Sequence, residues 1–172
     1  MNHHDRLWQD SALSELGWVL AARTEQGVCA ILLGDSPDQL LDELRSRFKQ
    51  AEILGGDAQL PEILAKIIGF IANPALGLDL RLDARGTDFQ QLVWQALRQI
   101  RYAEQISYAE LANRISQPTA VRAVARACGA NPVALAIPCH RVVASNGKLS
   151  GYRWGVERKA ELLRRESLPK PH

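Results

Sequence analysis

Residues 107–128 read SYAELANRISQPTAVRAVARAC, and this stretch decides the fold of the C-terminal half. Ser107, with a glutamate three residues later, is a capping-box pattern that predicts a helix from residue 108 to about residue 115. The helix breaks at Pro118, and helical spacing of apolar residues predicts a second helix over residues 119–128. Two helices joined by a short turn are typical of a helix-turn-helix.

The second helix has two distinct faces when its residues are placed at roughly 100° intervals. The apolar arc, predicted to be buried, consists of Val121, Val124, Ala125 and Cys128. The outward face carries three alanines flanked by two arginines, namely Ala120, Ala123, Ala127, Arg122 and Arg126. Small side chains allow close approach to a partner, and arginine suits phosphates. Because this face has no Asn or Gln to read bases, we predict DNA binding with little direct sequence readout, through the minor groove.

The charge distribution divides the chain just before this region. Residues 1–84 contain 7 Lys and Arg against 13 Asp and Glu, whereas residues 85–172 contain 14 against 6, so the net charges are −6 and +8. A basic half is the footprint of a polyanion binder, although a solvated basic surface would give the same count. We therefore expect one domain over residues 1–84 and a second, nucleic-acid-binding domain over residues 85–172.

The acidic half is expected to be an α/β scaffold that carries no chemistry. Strands are predicted at residues 18–23, 28–33 and 78–82, with a glycine-containing turn between the first two. Helices are predicted to begin at Pro37, capped by Ser36, and to span residues 61–71. In the basic half we predict a helix after Thr87, a strand at 133–137 and a last helix at 156–166. The expected core residues of these last helices are Phe89, Leu92, Val93, Ala96, Leu97, Ile100, Val156, Ala160, Leu162 and Leu163.

The stretch IPCHRV at residues 137–142 is where we expect chemistry. Cys139 is followed directly by His140 and Arg141, and nearby cations favour the nucleophilic thiolate. The other two cysteines, Cys29 and Cys128, lie in apolar patterns and are expected to be inert buried side chains. Adjacent residues of a strand point to opposite sides, so Cys139 and its neighbouring histidine require a local turn or a relay.

A second site feature is Glu166, which falls between Leu162 and Leu163 on the inward face of the last helix. A carboxylate on a buried face needs a partner. The alternative is a frayed, exposed helix end beside Arg164 and Arg165.

The composition restricts the class of protein. No run of about 18 apolar residues is present, so no membrane span is expected, and no apolar signal segment follows the N-terminus. We therefore expect a cytoplasmic, reducing location. Three scattered cysteines without a Cys-x-x-Cys pair predict neither disulfides nor a metal site. The remaining histidines, His3, His4 and His172, are terminal and are poor partners for Cys139.

The motif IPCHRV, with Asn131 before it and Gly151-Tyr152-Arg153-Trp154-Gly155 after it, resembles the O6-alkylguanine-DNA alkyltransferases. The similarity is greatest to the C-terminal domain of the bacterial adaptive-response proteins, and it covers nearly the whole chain. It implies an α/β (α+β) fold with a ribonuclease-H-like N-terminal unit. A winged-helix-like C-terminal unit, which contains the helix-turn-helix, follows in that family.

The resemblance also implies roles for individual residues. Cys139 would accept the alkyl group, His140 would act as the base through a water, and Glu166 would hold the other ring nitrogen of that histidine. Tyr108 would donate a hydrogen bond to the flipped guanine, and Asn131 would brace the loop that carries the cysteine.

Further roles concern DNA and the base pocket. Arg122 would push into the duplex and fill the space left by the flipped base. Tyr152 would flank the base, and backbone groups at Cys139 and Val142 would read its edge. Where some relatives carry small residues after this tyrosine, the chain has Arg153 and Trp154, which we expect to narrow the pocket.

The expected function is direct repair of double-stranded DNA that contains O6-alkylguanine, by a stand-alone monomer that needs no cofactor and reacts once. Activity on O4 of thymine remains open. Two other functions are also open at this point: a DNA-binding regulator in which Cys139 is structural, and a thiol hydrolase or acyltransferase that acts on small molecules.

Overall fold

The computed structural model describes residues 6–149 and 151–167. Its main sheet consists of β1 (Arg6–Ser14), β2 (Gly17–Arg23), β3 (Val28–Gly34) and β4 (Glu52–Gly55), in the order β3-β2-β1-β4. The pairs β1–β2 and β2–β3 are antiparallel, whereas β1 and β4 are parallel. Every residue of β3 is buried although β3 ends the ladder. The rest of the chain therefore covers this edge.

The predicted hairpin between β2 and β3 is confirmed. Its turn closes with a 2.8 Å hydrogen bond from the amide of Thr24 to the carbonyl of Gly27. A Cβ atom at Gly27 would lie 2.7 Å from the carbonyl oxygen of Arg81, so only glycine lets the two backbones approach here.

The N-terminal half has two helices, α1 (Pro37–Arg47) between β3 and β4 and α2 (Leu60–Ala72) after β4. The predicted cap of α1 is confirmed, because the hydroxyl of Ser36 accepts a 3.2 Å hydrogen bond from the amide of Gln39. Leu40 and Leu44 are the buried residues of α1. A 3-10 turn at Pro74–Leu76 follows α2, where the sequence places an Asn-Pro break.

The strands β1 and β4 are absent from the sequence-based prediction. Most of β1 is only partly buried, and its sequence RLWQDSALS shows no apolar alternation. Strand β4 has four residues. Both strands form because they pair with each other, in a parallel register that begins at Arg6↔Glu52. Pairing between segments distant in sequence leaves no local pattern from which it could be predicted.

Two predicted strands are wrong. Residues 78–82 alternate in burial, but they form only an isolated bridge between Leu82 and Val28. Residues 133–137 form a single bridge, Ile31↔Val133, and then turn at Leu135, whose φ is +71°. Each segment pairs with β3 at a single residue, so neither forms a continuous ladder with it.

The C-terminal half contains mostly helices. Its elements are α3 (Asp88–Arg98), β5 (Ile106–Ser107), α4 (Tyr108–Arg114), α5 (Val121–Gly129), a 3-10 turn at Cys139–Arg141, β6 (Val142–Val143) and α6 (Val156–Glu166). Helix α3 begins with a full capping box between Thr87 and Gln90. At α4 the hydroxyl of Ser107 accepts from the amide of Glu110, as predicted. The side chain of Glu110 instead bonds Arg114, so the reciprocal half of that box is absent.

The predicted core stripes need three corrections. Leu92 is 40% exposed and Val156 is 39% exposed, and Ala160 is also exposed. On α6 the buried side chains are Lys159, Leu162, Leu163 and Glu166, which repeat at intervals of three and four residues. The buried face of α6 therefore includes two charged residues, Lys159 and Glu166, in place of Val156 and Ala160.

Buried apolar side chains from both halves form one continuous cluster. The division between residues 84 and 85 consequently stays a prediction based on charge. Among the described helices, none is long and apolar enough to span a membrane.

Candidate active site and nucleic-acid interface

A cavity of about 500 Å³ lies where α5, the start of α4, the 3-10 turn and the loop before α6 meet. Its lining residues are Tyr108, Ala125, Cys128, Gly129, Cys139, Gly151, Tyr152 and Arg153. The structure thus brings together residues from four segments that lie apart in the sequence. A flat heterocycle could reach Cys139 here while contacting one or both tyrosines.

Cys139 begins the 3-10 turn and is 6% exposed. The side chain of Asn131 donates to the carbonyl of Ile137 at 2.8 Å and lies 3.4 Å from Sγ of Cys139. Its amide oxygen accepts from the backbone of Val133 at 2.9 Å. Asn131 therefore makes the contacts that a bracing role requires. Cys139 and His140 lie on a 3-10 turn, so they are not held on opposite sides as in a regular strand.

Burial raises the pKa of the Cys139 thiol, and a hydrogen bond from Asn131 and the charge of Lys159 only partly oppose this effect. The prediction that the adjacent cations favour a thiolate is wrong for the resting protein. The reason is geometric, because the side chains of His140 and Arg141 bind Glu166. The resting nucleophile is a neutral thiol, and its proton must be removed.

The base that could remove this proton is His140, which is fully buried and lies 2.9 Å from Glu166 through Nε2. A carboxylate only accepts hydrogen bonds, so Nε2 carries the proton and Nδ1 is left with a lone pair. Nδ1 is buried and has no hydrogen-bond partner among the described residues. Burial lowers the pKa of His140 despite the carboxylate, which keeps the ring neutral. A neutral ring with a free Nδ1 can act as a base.

Glu166 is 3% exposed, so the alternative of a frayed helix end is excluded. Arg141 donates to its carboxylate through Nε at 2.9 Å and through Nη2 at 3.0 Å, and also to the carbonyl of Ile100. Burial acts to raise the pKa of Glu166, but the hydrogen bonds from His140 and Arg141 outweigh it and lower that pKa. Arg141 thus fixes the carboxylate, a role that sequence reasoning missed.

Helix α5 presents the predicted arginines to solvent, since Arg122 and Arg126 are both exposed and Ala120 and Ala123 are partly buried. Ala127 does not belong to this face. It is 3% exposed, and its carbonyl accepts a 2.9 Å hydrogen bond from the indole of Trp94 on α3. The outward face is therefore narrower than predicted, because α3 packs against its edge.

Two predicted pocket residues have buried side chains outside the cavity lining. Trp154 is 4% exposed and packs edge-on behind Tyr152, with ring centroids 5.2 Å apart. The prediction that its indole narrows the cavity is therefore wrong, because its side chain points into the core. Val142 is fully buried in β6, paired with Ile106. The prediction that its backbone reads a base is not affected.

This arrangement agrees with comparisons against known proteins. Residues 88–168 match the family model described as the DNA-binding domain of 6-O-methylguanine DNA methyltransferase. The inducible methylated-DNA–protein-cysteine methyltransferase of Bacillus subtilis (strain 168) is 38% identical over 143 residues, which are 83% of this chain and 80% of that protein. The chain belongs to the methylated-DNA–protein-cysteine methyltransferase family.

Other members of the family differ in length. The Escherichia coli (strain K12) bifunctional transcriptional activator/DNA repair enzyme Ada is 53% identical over 153 residues, 89% of this chain but 43% of that protein. The chain thus spans less than half of that relative. The crystal structure of the Mycobacterium tuberculosis O6-methylguanine methyltransferase has a TM-score of 0.74 at 32% identity and covers 96% of this chain and 95% of its own. The mixed α/β fold is shared.

Lys159 is a further residue of the site that sequence reasoning missed. It is fully buried on α6, and its Nζ lies 5.9 Å from the ring centroid of Tyr108. Burial lowers the pKa of Lys159, while the thiols of Cys139 and Cys128 oppose that effect. The sequence signal was available, since Lys159 precedes Leu162, Leu163 and Glu166 at helical spacing.

Cys128 also lines the cavity, which corrects the expectation that it is only a core side chain. Burial raises the pKa of this thiol, and the neighbouring Cys139 adds to the effect. Cys128 is consequently neutral, and no base corresponding to His140 contacts it within residues 6–149 and 151–167. Those residues also contain no group of three His, Cys, Asp or Glu side chains that could hold a metal. His3, His4 and His172 lie outside the described residues.

Proposed function

We propose that this chain repairs DNA by moving one alkyl group from O6 of guanine to Sγ of Cys139. The observation that carries the proposal is the hydrogen bond between His140 and Glu166 directly after Cys139, which lines a cavity that α5 also lines. The names of the relatives, which describe methyl transfer from methylated DNA to a protein cysteine, support it.

The chemistry begins with the neutral thiol. His140 takes its proton through a water while Glu166 stabilises the positive ring that forms, an arrangement typical of general-base catalysis. Sγ then attacks the alkyl carbon, the bond from carbon to O6 breaks, and guanine leaves with a proton in place of the alkyl group. Tyr108 donates a hydrogen bond as negative charge develops on the base.

The reaction is stoichiometric because a thioether is a poor leaving group and no group in the mechanism removes it. Cys128 shares the cavity and its thiol is also neutral, but within the described residues no base corresponding to His140 contacts it, so it does not compete as an acceptor. The protein is thus a reagent consumed one molecule at a time.

Duplex DNA is the proposed partner, and Arg122 is the residue that fills the gap left by the flipped guanine. Its exposed side chain projects from α5 beside partly buried alanines, which lets the helix approach the groove closely. Arg126 supplies a phosphate contact. Tyr152 flanks the flipped base, and the backbone of Cys139 and Val142 reads its edge.

We further infer the finer architecture from the resemblance. Residues 1–84 would be a ribonuclease-H-like unit, and residues 85–172 a winged-helix-like unit in which α4 and α5 form the helix-turn-helix. The protein would act as a monomer, with O4-alkylthymine as a secondary substrate. Three free cysteines suit a reducing, cytoplasmic location, where the acceptor stays unoxidised.

The decisive experiment mixes the protein with a duplex that carries one labelled O6-methylguanine. Label should move to protein in a one-to-one ratio, and peptide mapping should place the added mass on Cys139. Cys139→Ala should bind the duplex and accept nothing. Binding without transfer by the unaltered protein would favour a DNA-binding regulator, whereas repeated turnover on small thioesters would favour a thiol hydrolase.

A further inference from the structure

The rim of the cavity depends on a charge cluster that reaches from the N-terminal half. Among the described residues that line the cavity, Arg153 carries the only formal charge. Its Nη2 atom lies 3.7 Å from Oε1 of Glu43 on α1, and both side chains are about one-third exposed. This separation is too long for a hydrogen bond, so the attraction is electrostatic and Arg153 can be released.

Glu43 also faces a second cation. Oε2 of Glu43 lies 4.0 Å from Nε of Arg47, whose side chain is only 14% exposed. Nε and Nη2 of Arg47 are buried and have no hydrogen-bond partner among the described residues, as is also true of Oε2 of Glu43. Burial and the charge of Arg153 lower the pKa of Arg47 to about 10. Two guanidinium groups thus share one carboxylate, and without it they would repel each other.

The loop that carries Arg153 has one firm anchor and one weak one. The carbonyl of Trp154 accepts a 2.9 Å hydrogen bond from Arg158, and its indole is buried in the core. The described ion pair of Arg153 is the one to Glu43 on α1, and no residue of α1 is among the described residues that line the cavity. The guanidinium is therefore the movable part of the rim, and the balance between Glu43 and Arg47 decides where it stays.

We propose that Glu43 is a positioning residue for alkyl transfer: it draws Arg153 toward α1 and so keeps the mouth of the cavity open to bulky O6 substituents. A methyl group needs little room beside Sγ, whereas a benzyl group must place a ring near the rim. Loss of the carboxylate would let Arg47 repel Arg153 from α1, across the mouth. The inference rests on the proposed alkyl transfer to Cys139.

The test measures second-order rates of Cys139 alkylation by free O6-benzylguanine and free O6-methylguanine on the same sample. Taking their ratio cancels any difference in the amount of folded protein. Glu43→Gln should lower the benzyl-to-methyl ratio about fivefold, the effect of losing one partly buried ion pair. Asp42→Asn is the matched control, because Asp42 is an exposed carboxylate of the same helix that pairs with Arg45. It should leave the ratio unchanged.

Arg153→Ala separates positioning from a general effect on packing. If Glu43 acts through Arg153, adding Glu43→Gln to Arg153→Ala should not change the ratio further. An unchanged ratio in Glu43→Gln, or an equal fall in the Arg153→Ala background, overturns the inference. Failure of the unaltered protein to alkylate Cys139 with either base would instead refute the proposed function.

Discussion

The thiol of Cys139 is neutral at rest because the same burial that shapes the cavity disfavours its charged form. In the proposed mechanism the thiol is activated by His140, whose neutral state follows from burial and whose orientation follows from Glu166. The site keeps an unreactive thiol until a base and a substrate act on it together. If each molecule reacts once, as proposed, a neutral resting thiol limits side reactions of that single acceptor.

The dependence on a neutral His140 has a measurable sign. Its pKa is lowered from 6.5, so single-turnover methyl transfer should be constant near neutral pH and fall only on acidification below about pH 6.5, as the ring protonates.

His140→Gln should slow transfer roughly 100-fold, as expected for loss of a general base. Glu166→Gln should slow it too, and the double variant should be less impaired than the product of the two effects. A Glu166→Gln protein with an unchanged rate would contradict the relay.

Trp154 gives a prediction about stability. Because its indole is buried behind Tyr152, Trp154→Ala should lower the free energy of unfolding by about 3–5 kcal/mol, the usual cost of removing a large core side chain. Thermal or urea unfolding measures this loss. Rates on methyl and benzyl substrates, corrected for folded protein, should fall alike. A large gain in benzyl selectivity with unchanged stability would instead indicate that the indole lines the cavity.

At the scale of elements, α5 must serve two neighbours. One side packs on α3, where the carbonyl of Ala127 accepts a hydrogen bond from the indole of Trp94, and the other side is the face that we propose contacts DNA. Alanine is small enough either to pack against α3 or to leave an outward surface open. Helical angle alone therefore could not decide whether Ala127 faces α3 or solvent. The position of α3 decides that assignment.

Matched substitutions on α5 should separate the two tasks. Ala127→Leu should overpack against α3 and destabilise the protein by about 1–3 kcal/mol. Ala123→Leu should leave the unfolding free energy nearly unchanged but weaken duplex binding, since a larger side chain prevents close approach. Urea unfolding and a fluorescence titration with duplex DNA give the two readouts. Equal destabilisation by both variants would contradict this division of the helix.

How well each element could be predicted depends on how local its determinants are. Helices α1, α3 and α6 carry caps or helical apolar spacing within their own sequence, and the Pro-Cys-His-Arg-Val motif predicts Cys139 as the acceptor. Strand β1 and the bridges at Leu82 and Val133 depend on neighbours distant in sequence, so no local pattern reports them. Lys159 was missed because the apolar spacing of Val156, Ala160, Leu162 and Leu163 predicted a buried face of α6 that does not include it.

At the scale of the whole molecule, residues of the last helix connect the two halves. Arg158 donates to the carbonyls of Leu16 and Trp154 and pairs with Asp35 at 2.8 Å. Arg165 donates to the carbonyl of Ile71 and pairs with Glu15. Helix α6 therefore carries Glu166, which orients His140, and also the contacts between the two halves, so global stability and the state of the candidate site are coupled.

Acidification should reveal this coupling. The folded-state pKa values of His140 and Glu166 are both lowered, so the unfolded chain binds more protons on acidification and stability must fall with pH. The His140 contribution should be lost below about pH 6.5 and that of Glu166 below about pH 4.5. Urea unfolding between pH 7 and pH 4 measures the slope. Glu166→Gln should reduce the slope of the unfolding free energy in the more acidic part of this range. An unchanged slope would show that Glu166 does not cause it.

The position of Glu166 at the end of α6 also fixes when the protein becomes active. During synthesis Asn131, Cys139 and His140 leave the ribosome before the carboxylate that orients the histidine ring. A partly made chain therefore exposes its thiol with no aligned base beside it. The histidine ring is aligned only when the last described helix packs onto the rest, so the proposed alkyl transfer cannot begin before that step.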